Sequence, residues 1–206
     1  RLSRHRLTRS GSTYSAKTST FLESDQTDFH PTDVIEDADG SLLVADTGSW
    51  YMICCPTSKV AKPDVLGAIY RVQRKNAASP KDPRGLELDW AKPQVDWLSD
   101  KRPAVVKRAI EALAKVGNVD ALKGAKARIP ALWSVHRIPG KVARVAVRDF
   151  LKDENSDVRV AAIHSVALWF DAGAVKPLVE LLVSDDARER RLAAMALGRI
   201  GDLRAV

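Results

Sequence analysis

Up to about residue 75 the apolar positions of the chain recur, loosely, at every second residue, and beyond about residue 93 they follow one helical stripe. "RLSRHRLTR" alternates weakly, "SGS" reads as a turn, and "TYSAKTSTFL" is rich in Thr, Ser and aromatic residues without helical spacing. The clearest element is "DVIE-DADG-SLLVAD", two short apolar runs joined by Asp37-Ala38-Asp39-Gly40, which predicts a hairpin. "TGSWYMICCPTSKVAKPDV" reads as loop around Gly48, Pro56 and Pro63, and "GAIYRVQRK" as a last strand. Four or five such strands predict one small antiparallel sheet, too small to stand alone.

Residues 76–92, "NAASPKDPRGLELDWAK", carry two prolines, a glycine and several charges and read as a linker. Three later segments then superimpose: "AVVKRAIEAL" from 104, "DVRVAAIHSV" from 157 and "RERRLAAMAL" from 188. Each has Ala at one register (Ala109, Ala162, Ala193) and a small or apolar pair three and four residues on, which places them on one helix face. Small residues there let neighbouring helices approach closely. The step from Ala162 to Ala193 is that of adjacent repeats, whereas the longer step from Ala109 to Ala162 predicts a further, irregular unit between them that holds "DALKGAKARIPALWSVHRI", four helical pairs in all. Pro103, Asp157 and Asp185 fall near expected helix starts, and Gly117, Gly173 and Gly201 near expected ends.

These helical pairs resemble HEAT-type repeats. That resemblance brings the expectation of an Asp six positions before an Arg, able to bond between neighbouring repeats. Asp153 and Arg159 fit it. Asp100, with Val106 at the Arg position, and Arg190, with Ser184 at the Asp position, depart from it, so an unbroken ladder is not expected.

The first part has its own likeness. "FHPTDVIEDADGSLLVADTG" followed by "GAIYRVQRK" resembles the last blade of the β-propeller in membrane-bound dehydrogenase-like proteins of planctomycete type, which are related to sugar-dehydrogenase and NHL-type propellers. The resemblance implies an exported, periplasmic or extracytoplasmic parent, with helical repeats after the propeller and a haem c segment near its end. It implies as partners the upstream blades and downstream repeats of the same chain. Arg1 in place of Met, and an ending "GDLRAV" that looks like the start of another unit, lead us to expect an internal fragment.

Charge separates the halves. Residues 1–90 hold 12 Lys/Arg and 12 Asp/Glu, so the remainder, with 21 against 14, carries the whole net charge of +7. Residues 23–46 contain eight acids and no Lys or Arg, which reads foremost as a solvated face. No apolar run approaches the roughly 20 residues that span a bilayer.

Candidate chemistry is sparse. Cys54-Cys55 lacks the two intervening residues and the following His of a haem-attachment motif, and no second Cys or His pair lies at zinc-ligand spacing. Three states stay open for the pair: separate thiols, a structural disulfide, or a strained vicinal disulfide against a cofactor. The last is similar to a feature of quinone-dependent alcohol dehydrogenases, so the parent's implied cofactors are a quinone and haem c, with none expected in this fragment.

His30, Asp33 and Asp46 sit where strands meet loops and are candidates for the lip of a substrate or metal site. The competing reading has the two aspartates capping turns and His30 packed beside Pro31. His136 and His164 lie on helices away from any metal motif, while Trp133, Trp169 and Phe170 follow the apolar stripe. Trp90 and Trp97 are placed to seal one end of the helical stack. Lys101, Arg102, Lys107, Arg108, Arg144, Arg148, Arg159, Arg188, Arg190 and Arg191 could line up as a positive strip, which makes nucleic-acid binding the alternative function.

The expectation is thus an α+β chain: a partial antiparallel β-propeller blade at 1–78, a linker at 79–92, and a HEAT-like α-solenoid at 93–206. Its expected role is a noncatalytic scaffold or protein-interaction module whose parent resembles a sugar or alcohol dehydrogenase.

Overall fold

The structure, a computed structural model, describes residues 1–48, 66–76, 78 and 80–202. Contacts divide the chain into two units, Arg1–Thr8 with Ser15–Arg84, and Arg9–Tyr14 with Gly85–Val206.

The first unit is built on strands. β1 (Leu2–Ser10) and β2 (Thr13–Leu22) form one two-stranded ribbon, while β3 (Pro31–Glu36), β4 (Leu42–Asp46) and β5 (Ala68–Val72) form a three-stranded antiparallel sheet with β4 central. This corrects the expectation of a single sheet. Nearly every residue of β1 and β2 is exposed, so no buried face ties that ribbon to the other strands.

The predicted β3–β4 hairpin is present. Asp37 N–H donates to the Ser41 carbonyl at 2.8 Å and Gly40 N–H to the Asp37 carbonyl at 2.9 Å. Asp39 then accepts from the Ser41 amide at 2.9 Å, and Arg71 on β5 pairs with both Asp37 and Asp39. Those contacts hold both carboxyls below the usual range, led by the Ala38 amide at Asp37 and the Ser41 hydroxyl at Asp39. Val44 of the central strand is fully buried, yet Val34, Ile35, Ile69 and Tyr70 on the flanking strands stay exposed. By the strand register Val34 and Tyr70 flank Val44 on one face while Ile35 and Ile69 lie on the other, so apolar side chains stay uncovered on both faces of the sheet.

The second unit is helical, with seven α-helices among the described residues: α1 (Pro103–Val116), α2 (Val119–Lys123), α3 (Arg128–His136), α4 (Lys141–Asp149), α5 (Ser156–Leu168), α6 (Val175–Leu181) and α7 (Ala187–Ile200). α1 packs on α3, α3 on α5 and α5 on α7, and α2 packs on α4 in a second row. Helix starts are capped as the side chains require. Asn155 accepts from Asp157 N–H and Asp186 from Arg188 N–H, both at 2.8 Å, and α1 begins on Pro103.

Ala109, Ala131, Ala162 and Ala193 have no exposed surface, one on each stacked helix. A larger side chain at any of them would hold the layers apart. Ala131, Ala162 and Ala193 are evenly spaced along the sequence, whereas Ala109 stands closer to Ala131 than that period. The irregular unit is therefore the first and it is short, because α2 has only five residues. Between Ala131 and Ala193 the period is regular, which corrects the placing of the irregularity in a long second unit.

Two other expectations change. Gly117 and Gly201 do close α1 and α7 in the left-handed conformation, but the corresponding position after α5 is Phe170, at φ +50°. Gly173 lies inside a 3-10 turn, Ala172–Ala174, where the Arg148 guanidinium lies so close that an added Cβ would meet its Cζ at 2.4 Å. Residues from Gly85 onward fold with the helices: the Trp90 indole donates to the Gly85 carbonyl at 2.6 Å, and Trp90 meets Trp97 edge to face at 4.9 Å. Arg108 of α1 lies over the Trp90 ring at 4.1 Å. The two tryptophans cover the first layer, as the sequence led us to expect.

Candidate functional site: the arginine rungs between helical layers

The turn before each stacked helix leaves carbonyl oxygens without helical partners. Arginines at one register fill them. Arg128 donates Nη1 to the Lys123 carbonyl, Arg159 to the Asp153 and Glu154 carbonyls at 2.7 and 2.9 Å, and Arg190 to the Ser184 and Asp185 carbonyls at 2.6 and 3.0 Å. The three arginines keep the same even spacing as Ala131, Ala162 and Ala193, each standing three positions before its alanine.

Two of the three also reach forward. Arg128 binds the Asp153 carboxylate with Nε and Nη2, both at 2.8 Å, and Arg159 binds Glu189 at 2.9 and 2.7 Å. Each rung therefore joins one layer to the next by a charge-assisted fork. Asp153 and Arg159, the pair whose spacing fits contacts between neighbouring repeats, each bond to a neighbouring layer: the Asp153 carboxylate takes Arg128 of the preceding one and Arg159 takes Glu189 of the following one, while Arg159 also holds the backbone carbonyl of Asp153.

Glu189 shows how the ladder survives the missing aspartate. Its register holds Val105, Ala127 and Val158 in the other layers, and like the two valines it has no exposed surface beyond about 1%. Ser184, standing where Asp153 would repeat, donates its hydroxyl to Glu189 Oε2 at 2.7 Å. Burial pushes the Glu189 carboxyl up, but the Arg159 and Ser184 hydrogen bonds outweigh it and hold the carboxyl below its ordinary value.

Further polar links tie the same layers. Arg188 of α7 pairs with Asp157 at 2.8 Å and donates to the Ser156 hydroxyl at 2.9 Å. Ser156 in turn donates to Asp186 at 2.6 Å. Both carboxyls are held below their usual range, Asp157 chiefly by Arg188 and Asp186 chiefly by Ser156. Arg148 of α4 forks onto the buried Asp171 at 2.8 and 3.1 Å. On α3, His136 Nδ1 lies 2.7 Å from the Ser165 hydroxyl, with its ring stacked on Trp169 at 4.6 Å and edge-on to Trp133 at 5.4 Å.

Part of the positive strip expected from the sequence has partners within the chain, while Lys101, Lys107, Arg190 and Arg191 are exposed. Arg102, Arg148, Arg159 and Arg188 are each paired with a carboxylate, and Arg108 and Arg144 lie over Trp90 and Trp169.

In the strand unit, two of the three lip candidates meet. Asp46 accepts from the amides of His30 and Gly48, both at 2.9 Å, and His30 Nδ1 lies 2.8 Å from the Gly48 carbonyl. Asp33 is apart, opposite Ala45, with its carboxylate on the Val34 amide at 2.7 Å. The geometry is that of a clamped turn. Among the described residues no group of three or more His, Cys, Asp or Glu is arranged to hold a metal ion, and no helix is long and apolar enough to cross a membrane. Cys54 and Cys55 lie outside the described residues.

The sequence placed Arg190 at the rung register, opposite Ser184, but did not single out Arg128, whose repeat reads as irregular, or Glu189 as the acid that stands in for the aspartate. The signal was present as a strict recurrence: Arg128, Ala131, Ser134 and Val135 return one period later as Arg159, Ala162, Ser165 and Val166. No curated protein matches the chain. Residues 145–206, which run from α4 through α7, match the family model of HEAT repeats.

Proposed function

We propose that the chain works as a helical-repeat scaffold, a protein-interaction module that is not itself catalytic, attached to the last blade of a propeller whose parent resembles a sugar or alcohol dehydrogenase. The observation that carries the scaffold reading is the pair of arginine forks, Arg128–Asp153 and Arg159–Glu189, which lock similar layers at a fixed period around a HEAT-repeat match. Such a stack presents long exposed surfaces and has a core only between neighbours. The propeller reading rests on the resemblance of the β3–β5 segment, and it accords with exposed Val34, Ile35 and Ile69, apolar side chains that adjoining blades would cover. It carries with it the extracytoplasmic location, a quinone and haem c as cofactors of the parent, and Cys54-Cys55 as a contact to the quinone.

Nucleic-acid binding is the second reading, and the pairing of the arginines weighs against it. The test measures three properties of the purified chain. We expect no oxidation of sugars or alcohols with a quinone acceptor. We expect no binding of a DNA duplex that collapses between about 50 and 200 mM salt in the manner of phosphate contacts. We expect photocrosslinkers placed on exposed α-helical positions to trap one protein partner in the source cell. Turnover, or salt-sensitive duplex binding, would overturn the scaffold reading.

A further inference from the structure

The two rows of helices differ in the charge they expose. On α2, α4 and α6 the exposed charges balance, Lys123, Lys141 and Lys176 against Asp120, Asp149 and Glu180, and Lys123 is paired with Asp149 at 2.6 Å. The stacked row of α1, α3, α5 and α7 is different. Its positions two before, two after and six after Ala109, Ala131, Ala162 and Ala193 are spaced i, i+4 and i+8, so each helix carries them as one stripe. Two residues turn a helix by about 200°, which sets the stripe opposite the buried alanines and toward the outside. Lys107, Lys115, Arg137, Arg191 and Arg199 stand in it, all exposed, with a single acid, Glu111.

Among the described residues none of these five cations is paired with a carboxylate. Arg137 gives one nitrogen to the Trp133 carbonyl at 2.8 Å, and Arg199 lies over the Phe170 ring, so both guanidinium groups are held in place with their charge unanswered. The rest of the same face is apolar. Ile129, Trp133 and Val160 are half-buried in it, while Leu168 is 48% and Met195 61% exposed. An apolar centre ringed by unanswered cations has the composition of a protein-binding patch, in which aromatic residues, Met and Arg are enriched. A phosphate backbone or a lipid headgroup layer would use the cations and leave Trp133, Leu168 and Met195 in water. A segment that carries both acids and apolar side chains would use the whole face.

We infer that this outward face of the stacked row docks an acidic segment of a second protein, whose carboxylates meet Arg137, Arg191 and Arg199 and whose apolar side chains cover Trp133, Leu168 and Met195. This deepens the scaffold reading by naming the face and the chemistry of its partner, and it rests on that reading. The cations select against a basic segment and speed the encounter with an acidic one, while the apolar centre holds the segment once it has arrived.

The experiment titrates the full chain against a panel of fluorescent synthetic peptides in which acid content and apolar content vary independently, alongside a DNA duplex and vesicles of anionic phospholipid. We expect peptides rich in both to bind about tenfold more tightly than peptides rich in acid alone or in apolar residues alone, and more tightly than duplex or vesicles. Arg137→Glu with Arg199→Glu should weaken that binding about tenfold, chiefly by slowing association, and the milder Arg137→Gln with Arg199→Gln should act in the same direction. Met195→Asp should weaken it by hastening dissociation. Lys141→Glu with Lys176→Glu, on the second row, should leave it unchanged. Peptides that bind by acidity alone, no binding by any peptide, a preference for vesicles, or an equal loss from the second-row reversal would each overturn the inference and leave the scaffold reading standing. A salt-sensitive preference for the duplex would sink both.

Discussion

The carboxylate of Glu189 lies 2.7 Å from the Arg159 guanidinium, at the register where the preceding layer has Val158, and it serves Arg159 as Asp153 serves Arg128. An acid has moved from the turn into the buried helix face, and Ser184 has been left in the turn to hold it. The two sites form one exchange. Removing the acid alone strands a guanidinium that is only 23% exposed.

Glu189→Val should therefore cost about 2 kcal/mol or more, even though Val105 and Val158 stand at that register in two other layers. Ser184→Asp in the same chain should restore much of the loss, because its carboxylate would sit in the turn as Asp153 does. Urea unfolding of the two single variants and the double measures this. If the double variant is no more stable than Glu189→Val, the two acids are not interchangeable.

The same pair fixes a pH response. The folded Glu189 carboxyl is lowered, so its contribution is fully present above the unfolded value of about 4.3 and is lost as pH falls through the lower folded value. Arg159→Met reverses the sign. It leaves a buried carboxyl without its cation, which favours the protonated form, so the cost of that substitution should shrink as pH falls from about 7 toward 4. Chemical denaturation across that range tests it; a cost that is constant or grows on acidification would contradict the role given to Arg159.

How much of this was legible beforehand depended on which residues carried the pattern. α1, α5 and α7 could be read because a buried Ala and an apolar residue four positions on recur without interruption. α3 was obscured by its approach, "KGAKARIP", where Lys, two breakers and a charged pair hide a helix whose Pro130 sits harmlessly in the first turn. The β3–β4 hairpin was legible from Asp37 to Gly40, since the turn chemistry is local. The separation of β1 and β2 from the other strands was not, because residues exposed on both faces say nothing about which neighbour a strand has. Among the lip candidates, the meeting of His30 with Asp46 depends on strand register, Pro31 opposite Asp46, which no local pattern states.

His136 should make the stack sensitive to mild acid. Its ring is packed between Trp133 and Trp169, and burial, with a lesser effect of Arg137, holds its pKa below the ordinary value. The unfolded chain then binds the proton more readily, so stability should decline as pH falls through about 6.5. His136→Gln keeps a partner for Ser165 without a titrating ring, and should abolish that part of the decline in a pH series of melting temperatures. An unchanged slope would exclude His136 as its source.

Phe170 occupies the left-handed position that Gly117 and Gly201 hold after α1 and α7. A side chain there crowds the backbone by about 1 to 2 kcal/mol, and the ring's compensating contact is an exposed one, with Arg199 at 5.1 Å. Comparing Phe170→Ala with Phe170→Gly separates the two effects, since both remove the ring but only glycine relieves the strain. The glycine variant should be the more stable by about 1 kcal/mol, as read from urea midpoints; an alanine variant equal to it would mean that the chain end of α5 is not strained.

Gly173 and Arg148 should behave as one unit. Arg148 reaches Asp171 only by lying across Gly173, where a Cβ would meet its guanidinium carbon at 2.4 Å. Gly173→Ala should push the guanidinium off a carboxylate that is 4% exposed, leaving Asp171 with its contact to the Gly173 amide and losing the fork. Because the obstacle is the end of a flexible side chain, the backbone need not move, and the penalty should come from the lost ion pair rather than from strain. The loss should then be about 1 to 2 kcal/mol in the native chain and close to zero in an Arg148→Met background, where there is no fork left to displace. A penalty of equal size in both backgrounds would show that alanine disturbs the 3-10 turn itself, and that Gly173 is there for its backbone and not for the passage of Arg148.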